Sequence, residues 1–231
     1  MLPFFFDPTY ILVIIGVIIS LAASAHVNNT FRRYDQIRSL NHVTGAEAAA
    51  QILEAEGIKD VTIREISGHL TDNYDSANKV LSLSESTYRS ASIAAVGVAA
   101  HEVGHALQHH RNYVPLKIRT GIFPLVNLGS KLSLPLILIG VLLSWNQTLI
   151  NIGIWAFALV LLFQVVTLPV EFNASQRALD ILSTDGLLTI DEVPQVKQVL
   201  TAAALTYVAA VLATVLQLLR LVLLFGGNDR N

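Results

Sequence analysis

The chain has 231 residues, of which 53% are hydrophobic and 14% charged, and its mean hydropathy is +0.55. That balance is too apolar for an ordinary soluble domain and points to a membrane protein. A formal net charge of −2 with no long basic run leaves no footprint for nucleic acid, and the absence of cysteine excludes a disulfide framework or zinc ribbon, so any metal must sit on histidine and carboxylate.

A bilayer core of about 30 Å needs roughly 20 apolar residues in a helix. The first such run extends from about Tyr10 to Ala25, with Pro3 to Phe6 as an apolar, aromatic approach. Its Ala23-Ser24-Ala25 end resembles a signal-peptidase site, but Asp7 rather than Lys or Arg precedes the run, so it reads as a retained anchor. In the soluble-looking stretch that follows, Thr44 to Glu56 is helix-forming, with Thr44 as N-cap, Glu47 as its capping-box partner and Gly57 as the stop. Val61 to Ile66 and Lys79 to Ser84 alternate like strands on either side of the turn-like DNYDSAN, which predicts a small antiparallel sheet. A proline-free, alanine-rich helix is expected over 86–110. Leu132 to Trp145 and Ile150 to Val170 then read as a helical hairpin turning at Asn146 to Leu149, and Ala202 to Phe225 as a fourth span carrying Gln217 and Arg220.

Basic residues set the expected orientation. Arg32, Arg33 and Arg38 follow the first span, which places residues 26–131 in the cytoplasm; the hairpin tip faces out, and Arg177 and Lys197 return 171–201 to the cytoplasm. Arg230 in the tail weakly opposes this arrangement.

The chemistry concentrates in residues 99–110, AAHEVGHALQHH. His101 and His105 stand one helical turn apart, so both imidazoles leave the same face and can reach one tetrahedral zinc ion. Glu102 beside them can reach a water at the open metal position, which is the H-E-x-x-H arrangement of two ligands and a general base. The plainer reading is a polar helix end, and His109 and His110 are assigned to it. Gln108 and Arg111 stand where the longer H-E-x-x-H-x-x-G-x-x-H pattern has Gly and His, which excludes that class.

A third ligand is needed, and Glu171 in LPVEFNASQRALD is the candidate: an acid ending an apolar run is costly unless solvated, paired or bound to metal. Two spans separate it from His105, so the chain returns to the same membrane face. If the helix continues to about Asp180, Ser175 shares the face of Glu171 and can orient a ligand, while Asp180 points away. His69 and Arg177 are weaker candidates for stabilising an oxyanion.

The pair AAHEVGHALQH and LPVEFNASQRAL, with GHLTDNYD upstream, resembles the YugP-type zinc-dependent membrane metallopeptidases, a bacterial family distantly similar to the HtpX and CAAX prenyl proteases. The resemblance covers nearly the whole chain. It implies one zinc ion held by His101, His105 and Glu171, with Glu102 as catalytic base. Where the HtpX-like relatives commonly carry Asp four residues after the ligand Glu, this chain has Ser175.

The expected fold is thus a mainly α integral membrane protein with about four transmembrane helices and a small α+β, gluzincin-like zinc peptidase region. Its organisation reads as an anchor over 1–25, a metallopeptidase region on the cytoplasmic side over 26–131, a transmembrane hairpin over 132–170, a third-ligand helix and connector over 171–201, and a final helix and tail over 202–231. The expected reaction is peptide hydrolysis by metal-activated water in the cell membrane of a bacterium, on a protein or peptide substrate that is itself membrane-associated. Two rivals stand beside it: an intramembrane site-2-type protease, which the N-P-x-P-x-L-D-G context missing around Thr184 to Gly186 opposes, and a non-catalytic zinc-binding scaffold, which would need a closed site of four protein ligands. Small residues at Ala202 to Ala204, Ala209, Ala210 and Ala213 permit close helix packing, within one chain or in an oligomer.

Overall fold

A computed structural model describes residues 7–226. Pro3 to Phe6 and Arg230, which entered the reading of the first span and of the orientation, lie outside the described residues. In chain order the elements are α1 (Tyr10–Asp35), α2 (Gly45–Ala55), β1 (Thr62–Ile66), β2 (Asn73–Asp75), β3 (Val80–Ser84), α3 (Glu85–Tyr88), α4 (Ile93–His110), α5 (Val114–Leu142), α6 (Gln147–Thr184) and α7 (Val193–Phe225). The molecule is mainly helical, and α1, α5, α6 and α7 are each long and apolar enough to cross a membrane. The chain divides into two compact units.

One unit comprises, within the described chain, residues 7–24, 118–168 and 206–226. Its large apolar side chains point outwards: Ile18 is 59% exposed, Leu138 61% and Trp155 74%. A surface this apolar is unfavourable in water and suits hydrocarbon. Backbones approach closely where side chains are small, as at Gly16, where an added Cβ would meet Ala213 at 3.3 Å. Within this unit Arg220 pairs with Asp7 at 3.4 Å, with the guanidinium 4.3 Å from the centre of the Tyr10 ring. The first helix of the expected hairpin starts well before Leu132, because α5 is continuous from Val114 through Pro124.

The other unit, residues 25–117 and 169–205, holds α2, the three strands, α3, α4 and all the candidate site residues. Its core joins Ile52 and Leu53 of α2, Leu81 and Leu83 of β3, Val96, Val103 and Leu107 of α4, and Leu182 of α6. The start of α2 follows its sequence signals: Thr44 Oγ1 accepts from the Glu47 amide, and Glu47 Oε2 accepts from the Thr44 amide at 2.8 Å. Gly57 then takes φ +70°, a left-handed conformation that stops the helix.

Three local expectations are corrected. The sheet is mixed rather than antiparallel, with order β1-β3-β2, β1 parallel and β2 antiparallel to β3. The first half of DNYDSAN is not a turn but the short strand β2, which reaches β3 because Asp72 accepts hydrogen bonds from both the amide and the hydroxyl of Ser84. The helix expected over 86–110 is broken into α3 and α4. Ser92 ends the break as N-cap of α4, its Oγ accepting from the Ala95 amide and donating to Asp35 Oδ1 at 2.8 Å, so a contact to α1 decides where α4 begins.

Candidate metal centre

The centre is assembled from two helices. α4 supplies His101, Glu102 and His105, and it lies in the core because its run of Ala and Gly leaves little side chain to displace a neighbour. α6 extends past Pro169 to Thr184, so Glu171 and Ser175 fall on one face of a continuous helix. The two helices meet at Gly104, where a Cβ would stand 2.6 Å from the Ala174 carbonyl oxygen. Any larger residue there would hold α6 away.

That approach brings His101 Nε2 to 3.4 Å and His105 Nε2 to 3.5 Å from Glu171 Oε2. The three donor atoms lie within 4.8 Å of one another. Zinc–ligand bonds of about 2.0–2.2 Å at tetrahedral angles separate ligands by about 3.3–3.6 Å, so two of these separations already have the value that one zinc ion imposes. Two imidazoles and a carboxylate also suit zinc chemically. Glu171 is only 2% exposed and His105 9%, and so deeply buried a carboxylate requires a cationic or metal partner. The residues fit a metal ion, and the group gathers three such side chains among the described residues.

The Nδ1 atoms of both histidines face other partners: His101 Nδ1 is 3.1 Å from Ser175 Oγ, and His105 Nδ1 is 3.0 Å from Gln108 Oε1. Such bonds orient imidazoles and leave Nε2 for metal. Glu102 is half-buried, and burial pushes its carboxyl above the usual carboxylate range. A raised carboxyl is the direction in which a general base is usually tuned.

The remaining candidates make other contacts. His69 is exposed, its ring edge-on to Phe31 at 5.2 Å. Arg177 donates from Nε to Asn173 Oδ1 at 2.8 Å and lies 5.8 Å from the centre of the Tyr113 ring. Asp180 is exposed and accepts from Gln176. His110 is exposed as a polar helix end should be, but His109 is half-buried with Nδ1 3.0 Å from the Tyr74 hydroxyl, so it ties α4 to β2. Gln108, fully buried beside His105, is the residue that motif reading passes over.

A family model described as "putative neutral zinc metallopeptidase" matches residues 9–226. The chain is also similar to the "putative membrane protease YugP" of Bacillus subtilis (strain 168), with 44% identity over 214 residues, covering 92% of this chain and 95% of that protein. No solved structure matches the chain.

The close helix approach generates a test that touches none of the candidate site side chains. Gly104→Ala is expected to part α4 from α6 and weaken zinc binding by about tenfold or more, the range seen when the support of a metal ligand is disturbed. Zinc titration against a chelating dye, with circular dichroism as a check on helix content, measures it; unchanged affinity would show that the approach does not set the site.

Proposed function

The chain belongs to the family of neutral zinc metallopeptidases, and on that premise we propose that it is a membrane-bound zinc endopeptidase of the gluzincin type. In this reading His101, His105 and Glu171 hold one zinc ion, and Glu102 is the catalytic base. The observation that carries it is the convergence of two Nε2 atoms on one Glu171 oxygen at 3.4 and 3.5 Å, from helices far apart in sequence. With three donors gathered among the described residues, a fourth metal position is left for water or substrate, as catalysis needs and storage does not. α4 is not among the four candidate spans, which favours a site reached from water over one within the bilayer.

Zinc bound there would supply Lewis acidity to a water molecule and to the scissile carbonyl. The protein's own part is positional and acid–base. Glu102 takes the proton from the attacking water and returns it to the departing amine, which needs a carboxyl that is easily protonated and deprotonated. His101 and His105 are steadied through Ser175 and Gln108. An extended substrate peptide is aligned along β2, which pairs with β3 on one side only and touches α4 through Tyr74 and His109. In this reading the site faces the cytoplasm and its substrates are membrane-associated, a reading that the basic residues Arg32, Arg33, Arg38, Arg177 and Lys197 beside the spans support.

Two experiments test the reading. Glu102→Gln is expected to lose at least about a hundredfold in cleavage of a casein substrate while retaining its zinc, whereas a chelator removes both; full activity in the variant would remove Glu102 from the chemistry. Because the chain has no cysteine, orientation can be read with single introduced thiols. Ala77→Cys, exposed beside β2, is expected to react with a membrane-impermeant maleimide only in lysed cells, and Thr148→Cys at the hairpin tip in intact ones; the opposite pattern would place the site outside.

A further inference from the structure

Gln108 is 0% exposed and stands one turn beyond His105 on α4. Its amide has three partners: Oε1 lies 3.0 Å from His105 Nδ1, while Nε2 donates to the Val170 carbonyl oxygen at 2.7 Å and to Asn173 Oδ1 at 3.1 Å. An amide can face either way, and its partners decide which. The Val170 carbonyl can only accept. Asn173 Oδ1 is committed as an acceptor as well, because Arg177 Nε, which can only donate, stands 2.8 Å from it. Both atoms therefore demand the NH₂ end of Gln108, and Oε1 is left to meet His105. An acceptor at that point requires the hydrogen of the imidazole on Nδ1, so the ring's lone pair resides on Nε2, the atom 3.5 Å from Glu171 Oε2.

We propose that Gln108 is a positioning residue that fixes the metal-binding tautomer of His105, and that Asn173 and Arg177 of α6 set the polarity of this hydrogen-bond chain. The same amide clasps the carbonyl of the residue next to Glu171, so one side chain registers a histidine of α4 against the carboxylate of α6. Ser175 plays a looser part at His101, since a hydroxyl rotates to donate or accept and dictates no tautomer. Arg177 thereby acquires a role at the far end of the chain from the metal, distinct from stabilising an oxyanion. The inference rests on the zinc site proposed above.

The test separates polarity from shape. Full-length protein in detergent is stripped of metal and titrated with zinc against a chromophoric chelator. Gln108→Glu preserves size but sets a carboxylate oxygen against the Val170 carbonyl and Asn173 Oδ1, and it is expected to lose about tenfold or more in zinc affinity. Asn173→Asp is equally isosteric yet keeps an acceptor towards both Gln108 and Arg177, and it should bind zinc like the wild type. Equal affinities in the two variants, or a loss confined to Asn173→Asp, would overturn the proposal. Should Gln108→Glu lose its helical circular dichroism, Arg177→Met and Arg177→Lys decide: weaker zinc binding in the first and recovery in the second support the polarity chain, and no difference between them overturns it. His105→Ala distinguishes the two levels. Zinc held by that variant as tightly as by the wild type overturns the metal site itself, while zinc lost there but unchanged in Gln108→Glu overturns the role of Gln108 alone.

Discussion

The site depends on one contact, the approach of α4 to α6 where Gly104 meets the Ala174 carbonyl. It lets a carboxylate from one helix come within 3.5 Å of two imidazoles on another. The contact costs an interior glycine in a helix, which on its own disfavours helix by about 1 kcal/mol relative to alanine. Burial in the shared core of α2, β3, α4 and α6 offsets that cost. The sequence H-E-V-G-H therefore combines two requirements in five residues: candidate ligands at helical spacing, and the missing side chain that lets their partner approach.

Burial of Glu171 follows from the same contact. A carboxylate that is 2% exposed loses most of its hydration, which is tolerable only beside compensating charge or metal. Two histidines face it, and each histidine is held from behind, one by Ser175 and one by Gln108. The support of the site is thus drawn from the same two helices as the site itself. Membership of a zinc metallopeptidase family and likeness to a membrane protease agree with a centre of this composition.

Much of this arrangement is legible in the sequence because it follows from short-range geometry. A helix repeats its face about every four residues, so His101 and His105 can be paired without knowing the fold, and Ser175 can be placed beside Glu171 by the same rule. Glu171 stands out because an acid closing a long apolar run asks for an explanation, and an even number of crossings returns it to the side of the histidines. Thr44, Glu47 and Gly57 mark the ends of α2 for equally local reasons. What escapes is decided by contacts distant in sequence. The pairing of β1 with β3 is parallel and passes over β2, the start of α4 is set by Asp35 of α1, and β2 is too short to show a period. Gln108 reads as one more polar residue near a helix end; only Val170 and Asn173, more than sixty residues away, reveal that it is a fully buried link between the helices.

The most direct test of the central claim is the zinc content of detergent-purified wild type, His105→Ala and Glu171→Ala, each confirmed folded by circular dichroism. A centre shared by α4 and α6 predicts one zinc per chain in the wild type and its loss from both variants, because either substitution leaves only two of the three ligands. Zinc retained at one per chain in Glu171→Ala would contradict it, since the metal would then be held without α6.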